Sequence, residues 1–171
     1  MDDSPQSHFL TRGAHRRAVL RFDAGAAIGL GHAARCAALS SELRAHGWIT
    51  YAATAAKADL PFLDHFDHIV AATPAAPISQ AQSIQRQVAR GIDLLVVDHY
   101  GLDARFETAA RAYCAEVLVI DDLVDRQHDC DWLLNPGLEH QACDYADLIP
   151  PHCIALLGPQ YVPLREEFAE L

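Results

Sequence analysis

Lysine is almost missing from this sequence, which has 171 residues and a net charge of −10 with histidine counted as neutral. Lys57 is the single lysine, so nearly all of the positive charge is on arginine. A broad nucleic-acid surface requires clustered lysine and arginine, and this composition argues against a nucleic-acid partner. Arginine suits bidentate contacts with phosphate or carboxylate, so a local anion site remains compatible with the acidic total.

Long apolar runs and paired cysteines are also lacking. No apolar stretch approaches the roughly 20 residues that span a bilayer, and the polar residues 1–17 contain no signal-peptide core. The cysteines are odd in number and not closely paired, which indicates reduced, mostly buried thiols. They are Cys36, Cys114, Cys130, Cys143 and Cys153. We therefore predict a cytoplasmic protein with no membrane partner.

The common signatures of metal and cofactor sites are missing or incomplete. Zinc sites combine two closely spaced ligand pairs, and only His128 and Cys130 have such a spacing. There is no P-loop and no G-x-S-x-G sequence. Gly29, Gly31 and Ala34 satisfy the loose dinucleotide fingerprint, but no acidic residue follows at the end of the second predicted strand. The sequence predicts no metal and no cofactor.

From residue 18 onward, short apolar segments alternate with helical ones, after a flexible leader predicted over residues 1–17. The strands are predicted at 18–23, 48–54, 69–70, 93–98, 116–121, 132–134 and 154–157. The helices are predicted at 32–46, 59–66, 78–90 and 102–114, with another opening at 163. Apolar strands alternating with helices predict an α/β fold, with a Rossmann-like parallel sheet and helices on both faces.

Polar residues follow three of these strands. The segment from Asp23 to His32 follows the first strand. Asp98, His99 and Tyr100 lie at the end of the fourth strand, and Asp121 and Asp122 lie at the end of the fifth. In open parallel sheets, ligands bind outside the carboxyl ends of the strands. We therefore expect these residues to form one site. The alternative is that they are ordinary solvated loop residues.

A glycine-rich turn, Gly29-Leu30-Gly31-His32, precedes the first predicted helix. Two glycines allow a ligand to approach the backbone closely, and a helix N-terminus offers free N–H groups and a partial positive charge. This pattern predicts a phosphate or diphosphate site, and the alternative is a tight turn without a ligand. The dipole at a helix N-terminus disfavours protonation of a histidine, and a general base must be unprotonated, so we expect His32 to be able to act as a general base. The alternative is that His32 only caps or hydrogen-bonds the turn.

Four blocks of sequence, in the same order, resemble the UDP-sugar hydrolases of pseudaminic acid biosynthesis. The blocks are Arg21-Phe22-Asp23-Ala24-Gly25 with Ile28-Gly29-Leu30-Gly31-His32-Ala33-Ala34-Arg35-Cys36; Val97-Asp98-His99-Tyr100; Ile120-Asp121-Asp122-Leu123 with Asp125-Arg126, His128 and Cys130-Asp131; and Gly158-Pro159 with Tyr161 and Leu164-Arg165. Hydrolases of this family release UDP from UDP-2,4-diacetamido-2,4,6-trideoxy-β-L-altropyranose. The G-x-G-H turn is also distantly similar to bacterial lipid-linked glucosaminyltransferases.

The resemblance implies the N-terminal half of a GT-B-type enzyme, with His32 as the general base that activates water. Water would attack the anomeric carbon, and UDP would leave with inversion of configuration. The other residues that the resemblance assigns to substrate binding are Asp23, Gly29, Gly31, Arg35, Asp98, His99, Tyr100 and Asp121. Gly29 and Gly31 would give their amides to the diphosphate. Gly25 departs from the family's usual serine.

The resemblance also implies a nucleotide-binding C-terminal domain, which this sequence does not contain. We expect one Rossmann-like domain over residues 18–171, either a truncated chain or a natural half that acts with a second GT-B domain in trans. The expected ligand is a UDP-linked amino sugar, and we expect the chain alone to have weak or no activity. Two other functions remain open: a non-catalytic domain that binds a sugar or a partner, and half of a GT-B glycosyltransferase, in which an acceptor hydroxyl replaces water.

Overall fold

Seven parallel strands form one sheet in the computed structural model, which describes residues 15–26, 28–55, 60–73, 75–88 and 91–163. The strands are β1 (Arg17–Phe22), β2 (Ile49–Thr54), β3 (His68–Ala71), β4 (Ile92–Asp98), β5 (Cys114–Ile120), β6 (Trp132–Asn135) and β7 (Ile154–Leu157). The helices are α1 (Gly31–Ala45), α2 (Pro77–Gln87) and α3 (Ala104–Ala110). Short 3₁₀ turns cover Leu63–His65, Ala142–Tyr145 and Pro159–Tyr161.

The strand order, β3-β2-β1-β4-β5-β6-β7, reverses direction between β1 and β4. The chain builds outward from β1 to β3, crosses back to β4, and then builds outward on the other side. This is the arrangement of Rossmann-like sheets, in which ligands bind at the reversal point. The predicted α/β class and parallel sheet are confirmed. Phe22 pairs with Asp98 at the ends of β1 and β4, so the loops after these two strands start side by side.

Helices cover both faces of the sheet, as predicted. On one face, Ala33, Cys36 and Ala37 of α1 pack with Leu20 and other buried residues of β1. On the other face, α2 and α3 pack against each other and cover the remaining side chains of the central strands. Burial on both faces is the reason why the central strands are mostly apolar. No helix among the described residues is long and apolar enough to span a membrane.

The predicted boundaries hold closely for the strands and for α1. Gly47 follows α1 with a positive φ of 80°, and its N–H donates to the carbonyl of Arg44, as expected for a glycine that ends a helix. β1 begins at Arg17, within the predicted leader, and residues 1–14 lie outside the described part of the chain. The helix predicted from residue 163 also falls almost wholly on residues that the structure does not describe.

Three predicted helices are too long. The 59–66 prediction corresponds to the single turn Leu63–His65, and the helix predicted to reach residue 90 ends at Gln87. The 102–114 helix is only α3, because Asp103 caps it by accepting the N–H of Arg105, and a turn follows it. Cys114 is the first residue of β5 and pairs with Ile92, so it belongs to the sheet and not to the predicted helix.

Candidate functional site

A histidine, a carboxylate and an arginine meet at the reversal point of the sheet. Asp98 is the last residue of β4, and its side chain is fully buried. His32, in the first turn of α1, places Nδ1 2.5 Å from Asp98 Oδ1. Arg35 donates to the same carboxylate through Nε and Nη2, each at 2.6 Å. The helix therefore presents His32 and Arg35 together because residues three apart lie on the same side of a helix.

This contact determines which ring nitrogen of His32 holds the proton when the imidazole is neutral. Burial alone would raise the pKa of Asp98, but hydrogen bonds from Arg35 and His32 lower it below its usual value. An ionised carboxylate only accepts hydrogen bonds, so Nδ1 of His32 carries the proton and donates it to Asp98. Nε2 then has the free lone pair, and no described residue hydrogen-bonds to it. The arrangement can accept a proton at Nε2.

Tyr100 and Asp122 extend the site towards an open cleft. The ring of Tyr100 meets that of His32 edge to face, with centroids 4.6 Å apart, and the tyrosine is 47% exposed. Its hydroxyl lies 3.4 Å from Asp122 Oδ2, and Arg35 Nη1 is 3.7 Å from the same oxygen. Both residues line a cleft of about 580 Å³ that continues along the ends of β6 and β7 and includes Asn135.

A second buried ion pair lies on the other side of the reversal point. Arg21 points from β1 into the protein and donates through Nη1 and Nη2 to both carboxylate oxygens of Asp23, while its Nε donates to Gln80 of α2 at 2.6 Å. Asp23 also accepts from His99 Nε2 at 3.0 Å and from the N–H of Ala55. Burial opposes ionisation of Asp23, but these hydrogen bonds and the arginine hold its pKa well below the usual range.

The glycine-rich turn is organised by its own hydrogen bonds. The N–H of Gly29 donates to the carbonyl of Gly25 at 2.7 Å, so in this conformation it is not free for a diphosphate, contrary to the expectation. By contrast, no side chain caps α1, and the N–H groups of Gly31, His32 and Ala33 have no acceptor among the described residues. The free amides predicted at this helix N-terminus are therefore present, although Gly29 is not one of them.

Asp121 is placed beneath the site rather than on its surface. Its side chain is fully buried, lies 2.8 Å from Arg126 and accepts the N–H of Val124. His128 lies beyond it, with Nδ1 2.9 Å from Glu107 of α3 and Nε2 3.8 Å from Asp121. Burial lowers the pKa of His128, but these two carboxylates outweigh it and raise the pKa to about 9. The structure thus uses Asp121 to hold the loop that presents Asp122.

The structure brings together most of the residues that the sequence suggested, in two groups. His32, Arg35, Asp98 and Tyr100 form one group, and Asp23 and His99 belong to the other. Within the described residues, no cluster of three or more histidine, cysteine or acidic side chains has the geometry of a metal site.

The sequence analysis did not assign Arg21 or Gln80 to the site. A charged residue inside an otherwise apolar strand was a usable signal for Arg21. Nothing in the sequence pattern of α2 distinguishes Gln80 from its neighbouring glutamines.

The fold and this geometry define a Rossmann-like α/β domain with a histidine–aspartate pair at the sheet's reversal point. The chain is similar to the curated UDP-2,4-diacetamido-2,4,6-trideoxy-beta-L-altropyranose hydrolase of Campylobacter jejuni subsp. jejuni serotype O:2, with 27% identity over 153 residues. The match covers 89% of this chain and 53% of the relative, so the chain spans about half of the relative's length. No family model matches the chain. The resemblance inferred from the four sequence blocks is confirmed by this similarity.

Proposed function

We propose that this chain is the N-terminal domain of a nucleotide-sugar hydrolase that releases UDP from UDP-2,4-diacetamido-2,4,6-trideoxy-β-L-altropyranose with inversion at the anomeric carbon. The single observation that supports this most is the His32–Asp98 pair, in which Nε2 has no hydrogen-bonding partner among the described residues. The name of the similar hydrolase supplies the substrate class.

In this proposal, His32 takes a proton from water through Nε2. Asp98 orients the imidazole and stabilises the positive charge that develops on it, as a carboxylate does in other histidine-based sites. Arg35 keeps Asp98 ionised with two short hydrogen bonds and therefore acts through the carboxylate. Because UDP is a good leaving group, one base can be sufficient, unlike in glycosidases that use two carboxyl groups.

The diphosphate would lie near the start of α1. The amides of Gly31, His32 and Ala33 lack acceptors among the described residues, and a helix N-terminus favours an anion there. A diphosphate bound there would lie close to the proposed base, because His32 belongs to the first turn of the same helix. The diphosphate would thus be held next to the group that activates water.

The sugar would occupy the cleft bordered by Tyr100 and Asp122. Asp122 Oδ1 is buried and has no hydrogen-bonding partner among the described residues, so a sugar hydroxyl or acetamido N–H could satisfy it. Asp23 and His99 hydrogen-bond to each other and would contact the substrate as a fixed pair. Asp121 would act beneath the site, through its hold on the loop.

We also propose that a second GT-B domain makes most of the contacts with the nucleotide, since the chain spans about half of the relative's length. Binding energy from remote parts of a substrate supports turnover at the reacting centre. The domain alone would therefore release UDP more slowly than it would together with the second domain. Residues 18–171 would constitute the half that contains the base.

The test is UDP release from this UDP-sugar by the wild-type chain, by His32→Ala and by His152→Ala, whose histidine is exposed near the start of β7. Release that is lost only in His32→Ala, with an inverted sugar product by NMR, supports the proposal. If no variant releases UDP but calorimetry detects binding, the chain is a sugar-nucleotide-binding domain and the hydrolase proposal fails for the isolated chain. If the chain neither releases UDP nor binds the sugar nucleotide, both the hydrolase proposal and the sugar-nucleotide-binding alternative are overturned.

A further inference from the structure

Two cysteine thiols face each other at the amino ends of β6 and β7, at the edge of the sheet opposite His32. The Sγ atoms of Cys130 and Cys153 lie 3.5 Å apart. β6 and β7 are neighbours in the sheet, and the N–H of Ile154 donates to the carbonyl of Asp131 at 2.9 Å, so the two cysteine-bearing segments are held side by side. A disulfide has an S–S distance of about 2.05 Å, so the sulfurs need to approach by only about 1.5 Å.

The two thiols have different surroundings. Cys130 is fully buried in the core beside Leu133, whereas Cys153 is partly exposed. The contact with Cys153, together with burial, raises the pKa of Cys130. The hydrogen bond with Cys130 lowers the pKa of Cys153, although burial and the charge of Asp131 oppose this, and the charge of His128 lowers it further. A low-pKa, accessible thiol beside a second thiol is the usual arrangement in redox-sensitive cysteine pairs.

We infer that Cys130 and Cys153 form a redox modification site, at which a peroxide oxidises Cys153 and Cys130 then closes a reversible disulfide. In the first step, the Cys153 thiolate attacks one oxygen of hydrogen peroxide, the O–O bond breaks, and a sulfenic acid and hydroxide result. In the second step, the sulfur of Cys130 attacks the sulfenic sulfur and displaces its hydroxyl group. Two thiols and one peroxide give one disulfide and two waters, and a thiol reductant reverses the reaction.

This inference does not rest on the proposed hydrolase function. The bond would link the starts of two adjacent strands and close the loop that contains the Ala142–Tyr145 turn. Closing this loop restricts the unfolded chain, so the oxidised protein should have a higher melting temperature than the reduced one. Cys143, which is exposed and has no thiol near it among the described residues, provides the internal control.

The test treats the reduced chain with hydrogen peroxide, blocks the remaining thiols and maps the products by mass spectrometry. Trypsin leaves all three of these cysteines in one peptide, because the sequence has no lysine or arginine between Arg126 and Arg165. Cleavage before aspartate separates them, since Asp131 lies between Cys130 and Cys143, and Asp144 lies between Cys143 and Cys153. We expect a cross-linked peptide pair containing Cys130 and Cys153, which is lost after reduction.

Single serine variants make the result decisive. In Cys130→Ser, Cys153 should stop at the sulfenic acid and be trapped by dimedone, whereas in Cys153→Ser, Cys130 should stay reduced. Cys143→Ser should form the same cross-link as the wild type. The inference is overturned if peroxide modifies Cys143 while Cys130 and Cys153 remain thiols. It is also overturned if the cross-link joins Cys143 instead.

Discussion

Nδ1 of His32 lies 2.5 Å from Oδ1 of Asp98, so the carboxylate at the end of β4 orients a histidine in the first turn of α1. The two residues are far apart in the sequence, and the contact exists because β1 and β4 are adjacent at the reversal point. An oriented, singly protonated imidazole is a proton acceptor at Nε2. The first prediction tests this relationship directly.

We expect Asp98→Asn to reduce kcat for UDP release by about 10²- to 10⁴-fold, with a smaller effect on KM. The asparagine amide can donate to Nδ1, which would move the proton to Nε2 and remove the base. The measurement is steady-state UDP release by protein whose folded fraction is checked by circular dichroism. Asp64→Asn is the matched control, because the Asp64 side chain is 88% exposed, and it should leave the rate unchanged. A rate for Asp98→Asn close to that of the control would contradict the assigned tautomer.

The two glycines of the turn should respond differently to alanine. Gly29 has a φ of 87°, so Gly29→Ala should destabilise the fold by about 1 kcal/mol. Gly31 has no positive φ, and an added Cβ would meet nothing within 4 Å, so Gly31→Ala should fold as well as the wild type. If the diphosphate approaches the amide of Gly31, however, Gly31→Ala should weaken substrate binding several-fold. Thermal melts and calorimetric titration separate these effects, and unchanged affinity in Gly31→Ala would remove this glycine from the site.

The buried Arg21–Asp23 pair should be far more important for stability than a surface ion pair. Arg21→Met removes the arginine from Asp23, which keeps only its contacts with His99 and the N–H of Ala55, and it leaves the side chain of Gln80 without its arginine. Breaking such a pair should cost about 3 kcal/mol. The comparison is Arg105→Met, since Arg105 is 73% exposed in its contact with Asp103, and no measurable change is expected there. Urea denaturation of both variants is the measurement. Equal stability of the two would show that the buried pair does not hold the loop after β1.

Because of His128, the free energy of unfolding should fall as the pH rises above neutral. Folding raises its pKa from 6.5 to about 9, because Asp121 and Glu107 outweigh the effect of burial. The folded state therefore binds the proton more tightly, so this contribution is fully present below pH 6.5 and is lost as the pH rises to about 9. The expected loss is about 3 kcal/mol in the free energy of unfolding.

Urea denaturation at several pH values measures this dependence, and His128→Gln should flatten it over the same range. NMR titration of the His128 ring gives the pKa itself without depending on the variant's stability. A ring pKa near 6.5 would mean that the two carboxylates do not stabilise the imidazolium. The surface residue His152 serves as the comparison, and His152→Gln should retain the wild-type dependence.

Local pattern was sufficient for much of the secondary structure. The apolar run ending at Asp98 predicts β4 almost residue for residue, and Gly47 marks the end of α1 correctly. The helix predicted up to Cys114 is wrong, because pairing with Ile92 draws that cysteine into β5. Intrinsic helix preference is worth only a fraction of a kcal/mol per residue, so a new sheet contact easily outweighs it.

The candidate site was predictable in its residue types but not in its partnerships. His32, Asp98 and Tyr100 could be nominated because polar residues at the ends of parallel strands tend to meet. Which carboxylate contacts which base could not be inferred, since Asp23, Asp98 and Asp121 all follow apolar strands. In the structure, Asp98 contacts His32, Asp23 contacts Arg21 and His99, and Asp121 contacts Arg126.

The sequence by itself determined the alternation of strands and helices, the glycine-rich turn before α1 and the resemblance to the UDP-sugar hydrolases, because each is visible in the order of residues along the chain, whichever segments meet in space. Only the tertiary structure decided that the N–H of Gly29 donates to the carbonyl of Gly25, that Gln80 accepts a hydrogen bond from a buried arginine, and that Cys130 contacts Cys153. Those contacts depend on strand order and side-chain direction. Both arise from packing the whole sheet, and neither is encoded in any short segment.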